Sequence, residues 1–317
     1  MQEPQLPPLP QGMIKSTLDV RDRPISYTYL PSPSSTPSAP FLVFINGLML
    51  PQAGWYPTIS TFLSNVSASP QHTPSILTYD RFRQGATAPR DPTPSKHTPI
   101  DVINDLHILI SHFLTQNNNA HRPLIFIANS IGCPLVRLYC QHHPSPSIAG
   151  LIFLDSMIAN SDFLDSVWPD PDAAGFVAAD ALPGDVDVET LRKVRAVFAK
   201  VFAPSAPNKE GLDRSNLPAL LPHSDSPKIE WDPVVYVVGH DPDTFAEGTQ
   251  KMFGAPQSLV KRYAQTKWNE YNEGLTKLSK RGKGEVVIAE GCDHFVQRDG
   301  PGIVARLIWE MVAEVAA

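Results

Sequence analysis

The segment LIFIANSIGCPLVRLY carries the serine whose surroundings best suit nucleophilic chemistry. An apolar run ends at Ala128-Asn129-Ser130-Ile131-Gly132, and a helical pattern follows at once. A serine on a sharp strand-to-helix turn projects its hydroxyl above the sheet. The strained backbone there demands small residues two places before and two after, which Ala128 and Gly132 supply. The following helix aims its N-terminal N–H groups at the same spot and favours a developing oxyanion. The plainer use of such a serine is as a helix cap. A serine hydroxyl is a poor nucleophile at neutral pH and needs a base within hydrogen-bond reach. Histidine fits, because it titrates near neutrality. Among ten histidines His294 stands out. In VVIAEGCDHFVQRDGP it follows a strand pattern and a glycine-bearing loop and precedes a helix opened by Pro301. His142-His143 and His240-Asp241 lack partners at metal-ligand spacing.

These residues must be held by a scaffold, and the apolar pattern describes one. Short β-branched runs at 13–18, 25–30, 41–46, 75–80, 124–129, 150–155, 233–239 and 285–290 predict strands. From 41 onward the runs are apolar on consecutive positions, as in strands covered on both faces. Helical spacing appears in 100–114 (Ile103, Leu106, Ile110, Phe113), in 131–142 and in 301–316, with Pro99 and Pro301 at two of the starts. The segment 257–278 reads as a further helix against the sheet. The alternation predicts an α/β fold with a doubly covered, mostly parallel eight-stranded sheet. Residues 157–228 break the rhythm and read as a helical lid over the C-terminal strand ends, where open α/β sheets bind ligands. The expected division is a core of 13–156 and 229–317, a lid of 157–228, and a flexible tail of 1–12.

The motifs together resemble the α/β-hydrolase superfamily, in order and over roughly residues 13–316, excluding the lid. Ala128–Gly132 resembles its G-x-S-x-G nucleophile elbow, with Ala128 in place of the first glycine. FLVFINGLM resembles the strand that supplies half an oxyanion hole, with Asn46 where histidine is usual. The resemblance implies that the backbone N–H groups of Leu48 and Ile131 bind the oxyanion. YDRFRQGATAPRDP resembles the Asp-x-Arg-Gly loop, in which Asp80 and Arg81 hold the loop together. EGCDHF resembles the terminal G-x-x-H-F segment and makes His294 the base. The acid that fixes the imidazole is implied after the strand PVVYVVG, at Asp241. Asp243 is close by, and Asp155, at the end of GLIFLD, is the alternative some members use.

The activity implied is hydrolysis of an ester, lactone or related acyl bond through an acyl-enzyme on Ser130, with no cofactor and a small-molecule substrate. A carbon–carbon hydrolase or cyclase, and a ligand-binding receptor with little turnover, share the same constellation. The serine speaks against the dehalogenase and epoxide-hydrolase members, which carry Asp at that position. Phe163, Val167, Trp168, Phe176, Val197, Phe198 and Phe202 could line an apolar pocket or form the lid's own core. The chain has 317 residues, 42% of them hydrophobic, which suits one large domain or a core with an insertion. A net charge of −6 without a basic run argues against a nucleic-acid groove. Three scattered cysteines suggest neither a disulfide framework nor a zinc knuckle. No secretory signal and no membrane-length apolar run is read, so a cytoplasmic location is expected. Asn65-Val66-Ser67 fits a glycosylation sequon, read as coincidence in the absence of a signal.

Overall fold

The computed structural model describes residues 6–33, 39–66, 73–88, 97–116 and 122–316. Parts of the tail read over 1–12, of the Asp80–Pro92 loop and of the sequon lie outside them.

Eight strands form one sheet in the order β1-β2-β4-β3-β5-β6-β7-β8. β1 (Ile14–Val20) and β2 (Arg23–Leu30) make an antiparallel pair, and β2 runs antiparallel to β4 (Ser75–Tyr79). From there the sheet is parallel: β3 (Phe41–Ile45), β5 (Leu124–Ser130), β6 (Ile148–Ser156), β7 (Val234–His240) and β8 (Gly282–Ala289). Helices α1 (Tyr56–Val66), α2 (Pro99–Gln116) and α3 (Gly132–His142) connect the first parallel strands. Between β6 and β7 come α4 (Ala178–Ala181), α5 (Val188–Val201) and α6 (Leu217–Leu220). The last crossover holds α7 (Pro242–Phe253), α8 (Gln257–Leu259), a π-helical turn at Val260–Ala264 and α9 (Gln265–Leu275). After β8 come α10 (Val296–Asp299) and α11 (Pro301–Ala316).

Alternation along the central strands builds two cores. Phe41, Val43, Ile45, Phe126 and Phe153 face one side with residues of α2, α3, α9 and the β6–β7 insertion. Leu42, Phe44, Ile125, Ile152 and Leu154 face the other, against Ile59 and Phe62 of α1 and Leu307, Ile308 and Met311 of α11. Burial on both faces is what the unbroken apolar runs require. β8 departs from that expectation. It ends the sheet, and its Ile288 is 43% exposed.

The parallel strands all point their C-terminal ends one way. Ser130 ends β5, Asp155 lies in the last two residues of β6, and His240 ends β7. His294 follows β8 by five residues, in the turn before α10. Chemistry-bearing residues far apart in sequence therefore converge on one edge of the sheet.

Candidate active site

Ser130 sits on a turn that ordinary residues avoid. Its φ is 55°, in the left-handed region, where a side chain is tolerated only if the surroundings enforce it. Two contacts do so. The Ser130 carbonyl accepts the Met157 N–H at 3.2 Å, and the Leu135 N–H begins the next helix on the Ile131 carbonyl at 3.2 Å. Gly132 must be glycine, since a Cβ there would lie 2.6 Å from the Ile45 carbonyl oxygen of β3. The turn can thus pack against β3 and leave the hydroxyl projecting.

The hydroxyl meets His294: Oγ of Ser130 and Nε2 of His294 are 2.9 Å apart. On the other side of the ring, His294 Nδ1 lies 2.5 Å from Oδ2 of Asp155. Asp155 is fully buried and also has a positive φ, 42°, which turns its carboxylate toward the site. Burial pushes this carboxyl up, but His240 beside it and hydrogen bonds from both histidines prevail and hold it at about 2. It is an anion at any neutral pH. A serine, an imidazole and a buried carboxylate in this chain can pass the hydroxyl proton to the ring as the oxygen becomes nucleophilic.

Asp241, the acid expected first from sequence, stands elsewhere. Strand β7 runs one residue further than the apolar pattern suggests, through His240, so Asp241 is already the cap of α7. Its carboxylate accepts the Asp243 and Thr244 N–H groups at 2.9 and 3.0 Å and that of Gly291 at 3.1 Å. Its low pKa has that cause, the backbone N–H groups of Thr244 and Gly291 first among them. Asp243 points to solvent and pairs with Lys261 at 2.5 Å. The carboxylate on His294 is Asp155.

Several supports were not readable beforehand. The Asn129 amide donates to the carbonyls of Leu154 and His294, both at 3.0 Å, and its oxygen accepts from Gln297 at 3.1 Å. This fixes the His294 loop to the serine turn. The Trp268 indole donates to the Ser156 carbonyl at 3.0 Å and packs edge-on to His294, with centroids 6.1 Å apart. His240 binds the second oxygen of Asp155 at 2.8 Å.

Leu48 lies on the loop after β3, across from the serine turn. Among the described residues, neither the Leu48 nor the Ile131 N–H has a hydrogen-bond acceptor. The rest of the Leu48 loop is pinned. Arg81 donates to the Asn46 and Gly47 carbonyls at 2.8 and 2.9 Å, and Gln84 donates to Gly47 at 2.9 Å. Asn46 donates to Tyr79 and accepts from the Trp55 indole. Glu210, from the β6–β7 insertion and fully buried, pairs with Arg81 Nε at 2.6 Å and accepts the Met49 N–H at 2.8 Å. Asp80 ties down the neighbouring turn through Gln52 and Ala86. Asp80 and Arg81 hold the loops together and do not reach Ser130.

Beside His294 opens a cavity of about 130 Å³, lined by Phe163, Phe198, Phe202, Phe245 and Trp268 and bordered by Asp293. Of the insertion's aromatic residues, Phe163, Phe198 and Phe202 face this space. Trp168, only 1% exposed, backs Phe198 and is part of the insertion's own core. Among the described residues no cluster of His, Cys, Asp or Glu is arranged to hold a metal ion, and no helix is long and apolar enough to cross a membrane.

Comparison with known proteins agrees with this architecture. The mouse alpha/beta hydrolase domain-containing protein 10 is similar in fold at 15% identity, with a TM-score of 0.55 and 95% of this chain and 99% of that one covered. VrEH2 is similar at 12% identity and a TM-score of 0.58, covering 96% and 99%. Est1E from Butyrivibrio proteoclasticus, solved with ferulic acid bound, is similar at 13% identity and a TM-score of 0.53, covering 94% and 99%. No curated protein matches the sequence. Residues 42–307, from the strand before the Leu48 loop to the last helix, match the alpha/beta hydrolase family, and the chain belongs to that family.

Proposed function

We propose that this protein is a serine hydrolase that cleaves an ester, lactone or related acyl bond through an acyl-enzyme on Ser130. The observation that carries the reading is the unbroken chain Ser130 Oγ–His294 Nε2, His294 Nδ1–Asp155. Ser130 Oγ attacks the carbonyl carbon while its proton passes to His294 Nε2. The carbonyl oxygen becomes an oxyanion, received by the Leu48 and Ile131 N–H groups, each worth about 3–4 kcal/mol in the transition state. Asp155 stabilises the imidazolium and keeps Nδ1 protonated. The tetrahedral intermediate collapses, and the leaving oxygen takes the proton from His294. Water then repeats the sequence on the acyl-enzyme and releases the acid.

The cavity beside His294 supports an apolar substituent on the substrate. Its 130 Å³ is close to the roughly 150 Å³ of an apolar cavity that accepts benzene, so one aromatic ring or a short branched chain fits. The residues 157–228 act as the lid that supplies its Phe163, Phe198 and Phe202 wall. The test is turnover of p-nitrophenyl esters graded from acetate to phenylacetate. Phenylacetate is expected to show the higher kcat/KM; turnover of neither, by folded protein, refutes the reading.

A further inference from the structure

Asp155 serves two imidazoles. Its Oδ2 faces His294 Nδ1 at 2.5 Å and its Oδ1 faces His240 Nδ1 at 2.8 Å. His240 is 1% exposed. Beyond it, Nε2 lies 2.8 Å from Oε1 of Gln265, whose own amide nitrogen donates to Asn269 at 2.8 Å. Phe245 of α7 stacks on the ring at 3.8 Å between centroids, and Trp268 of α9 meets it edge-on at 5.8 Å.

The protons in this network can be counted. A carboxylate only accepts, so both histidines present N–H at Nδ1. The Gln265 oxygen only accepts, so His240 Nε2 carries a hydrogen as well. An imidazole with hydrogen on both nitrogens is a cation. His294 must be neutral at rest if it is to take the serine proton. Asp155 would then be a lone anion in a dry interior, which is costly unless a cation pairs with it. Among the described residues no lysine or arginine pairs with Asp155. The charged or titratable groups facing His240 are Asp155, with His294 on its far side, and Asp293 from the loop after β8. Both carboxylates favour a cation. Burial lowers the His240 pKa, but Asp155, Gln265 and Asp293 together outweigh it and raise it overall.

We infer that His240 is a resident imidazolium that neutralises Asp155 and so sets the pH range over which His294 serves as the base. It is a positioning residue and takes no part in bond making. The inference rests on the Ser130–His294–Asp155 reading of the site. Without the His240 cation, Asp155 turns its full charge toward His294. The protonated, idle form of the base then persists to higher pH. Reversing the Gln265 amide, with Asn269 following, gives the opposite arrangement, in which His240 Nε2 accepts and the ring is neutral.

The experiment is ring-nitrogen NMR of the full-length protein labelled with ¹⁵N-histidine, near neutral pH, with His240 assigned by its absence from His240→Gln. Both His240 nitrogens are expected to bear hydrogen; one bare nitrogen overturns the inference. This readout needs no substrate. Ser130→Ala, inactive under the serine-hydrolase reading, is expected to keep the same His240 signal, so failure to find any activity is distinguishable from failure here. The companion measurement is kcat/KM against pH. In His240→Gln the acid limb is expected to move up by about one pH unit. An unmoved limb in folded His240→Gln also overturns the inference. Should that variant not fold, Gln265→Glu provides the assignment, and the NMR result decides alone.

Discussion

Glu210 accepts the Met49 N–H at 2.8 Å although 161 positions separate them, and the same carboxylate holds Arg81, whose other nitrogens grip the Asn46 and Gly47 carbonyls. The β6–β7 insertion thus reaches under the loop that presents Leu48. Glu210→Ala removes this clamp and leaves a buried guanidinium without its counter-charge. The expected result is a fall in kcat of about ten- to a hundredfold with KM little changed, since a displaced Leu48 N–H is felt mainly in the transition state. Glu210→Gln keeps an acceptor for Met49 and should retain more of kcat. A rise in KM alone, with kcat intact, would count against this role.

Asp155 and Asp241 separate cleanly by substitution. Asp155→Asn removes the anion and the tautomer control and is expected to lower kcat by about 10³–10⁴. Asp241→Asn keeps a good helix cap and should leave kcat unchanged. Steady-state kinetics on any turned-over ester decides. The reverse ranking would return the role to Asp241.

The same buried pair makes stability depend on pH in two directions. His240 has its folded pKa raised above 6.5, so its contribution is full below pH 6.5 and is lost as pH rises through the raised value. Asp155 has its folded pKa held at about 2 against an ordinary 3.8, so its contribution is full above pH 3.8 and is lost as pH falls toward 2. Urea unfolding across the alkaline range should show wild type losing stability with rising pH and His240→Gln following a flatter curve. Identical slopes would contradict the assignment.

Phe202 projects from the insertion into the cavity beside His294, tilted against Phe198 and edge-on to Phe253, at 4.9 and 5.0 Å between centroids. Phe202→Ala is expected to raise KM for aryl-substituted esters by about fivefold, the worth of one aromatic contact, and to leave acetate esters untouched. Equal effects on both would place the substrate's substituent outside this cavity.

Most of the scaffold was legible because buried parallel strands advertise themselves as unbroken apolar runs. FLVFI, LIFIANS and VVYVVGH are buried at every position, and the sequence shows it. The serine turn was legible because steric crowding at Gly132 and Ala128 restricts residue type. The acid was not. Asp155 and Asp241 both lie at the ends of adjacent strands, and the choice depends on a register shift beside Ser130 and a positive φ at Asp155. Neither leaves a mark in residue type. Glu210 was invisible for another reason: it lies in an irregular stretch, and its partners are set by tertiary approach alone. His240 was noticed only as a neighbour of Asp241, and its tie to Asp155 follows from β6 and β7 lying side by side.

In the proposed reaction Ser130 becomes acylated with His294 as its base. The most direct measurement is intact-protein and peptide mass spectrometry after treatment with a fluorophosphonate, on wild type, Ser130→Ala and His294→Ala. One adduct on Ser130 in wild type, none in Ser130→Ala and a strongly slowed reaction in His294→Ala is the predicted result. An adduct on another residue, or none on folded wild type, would contradict the account.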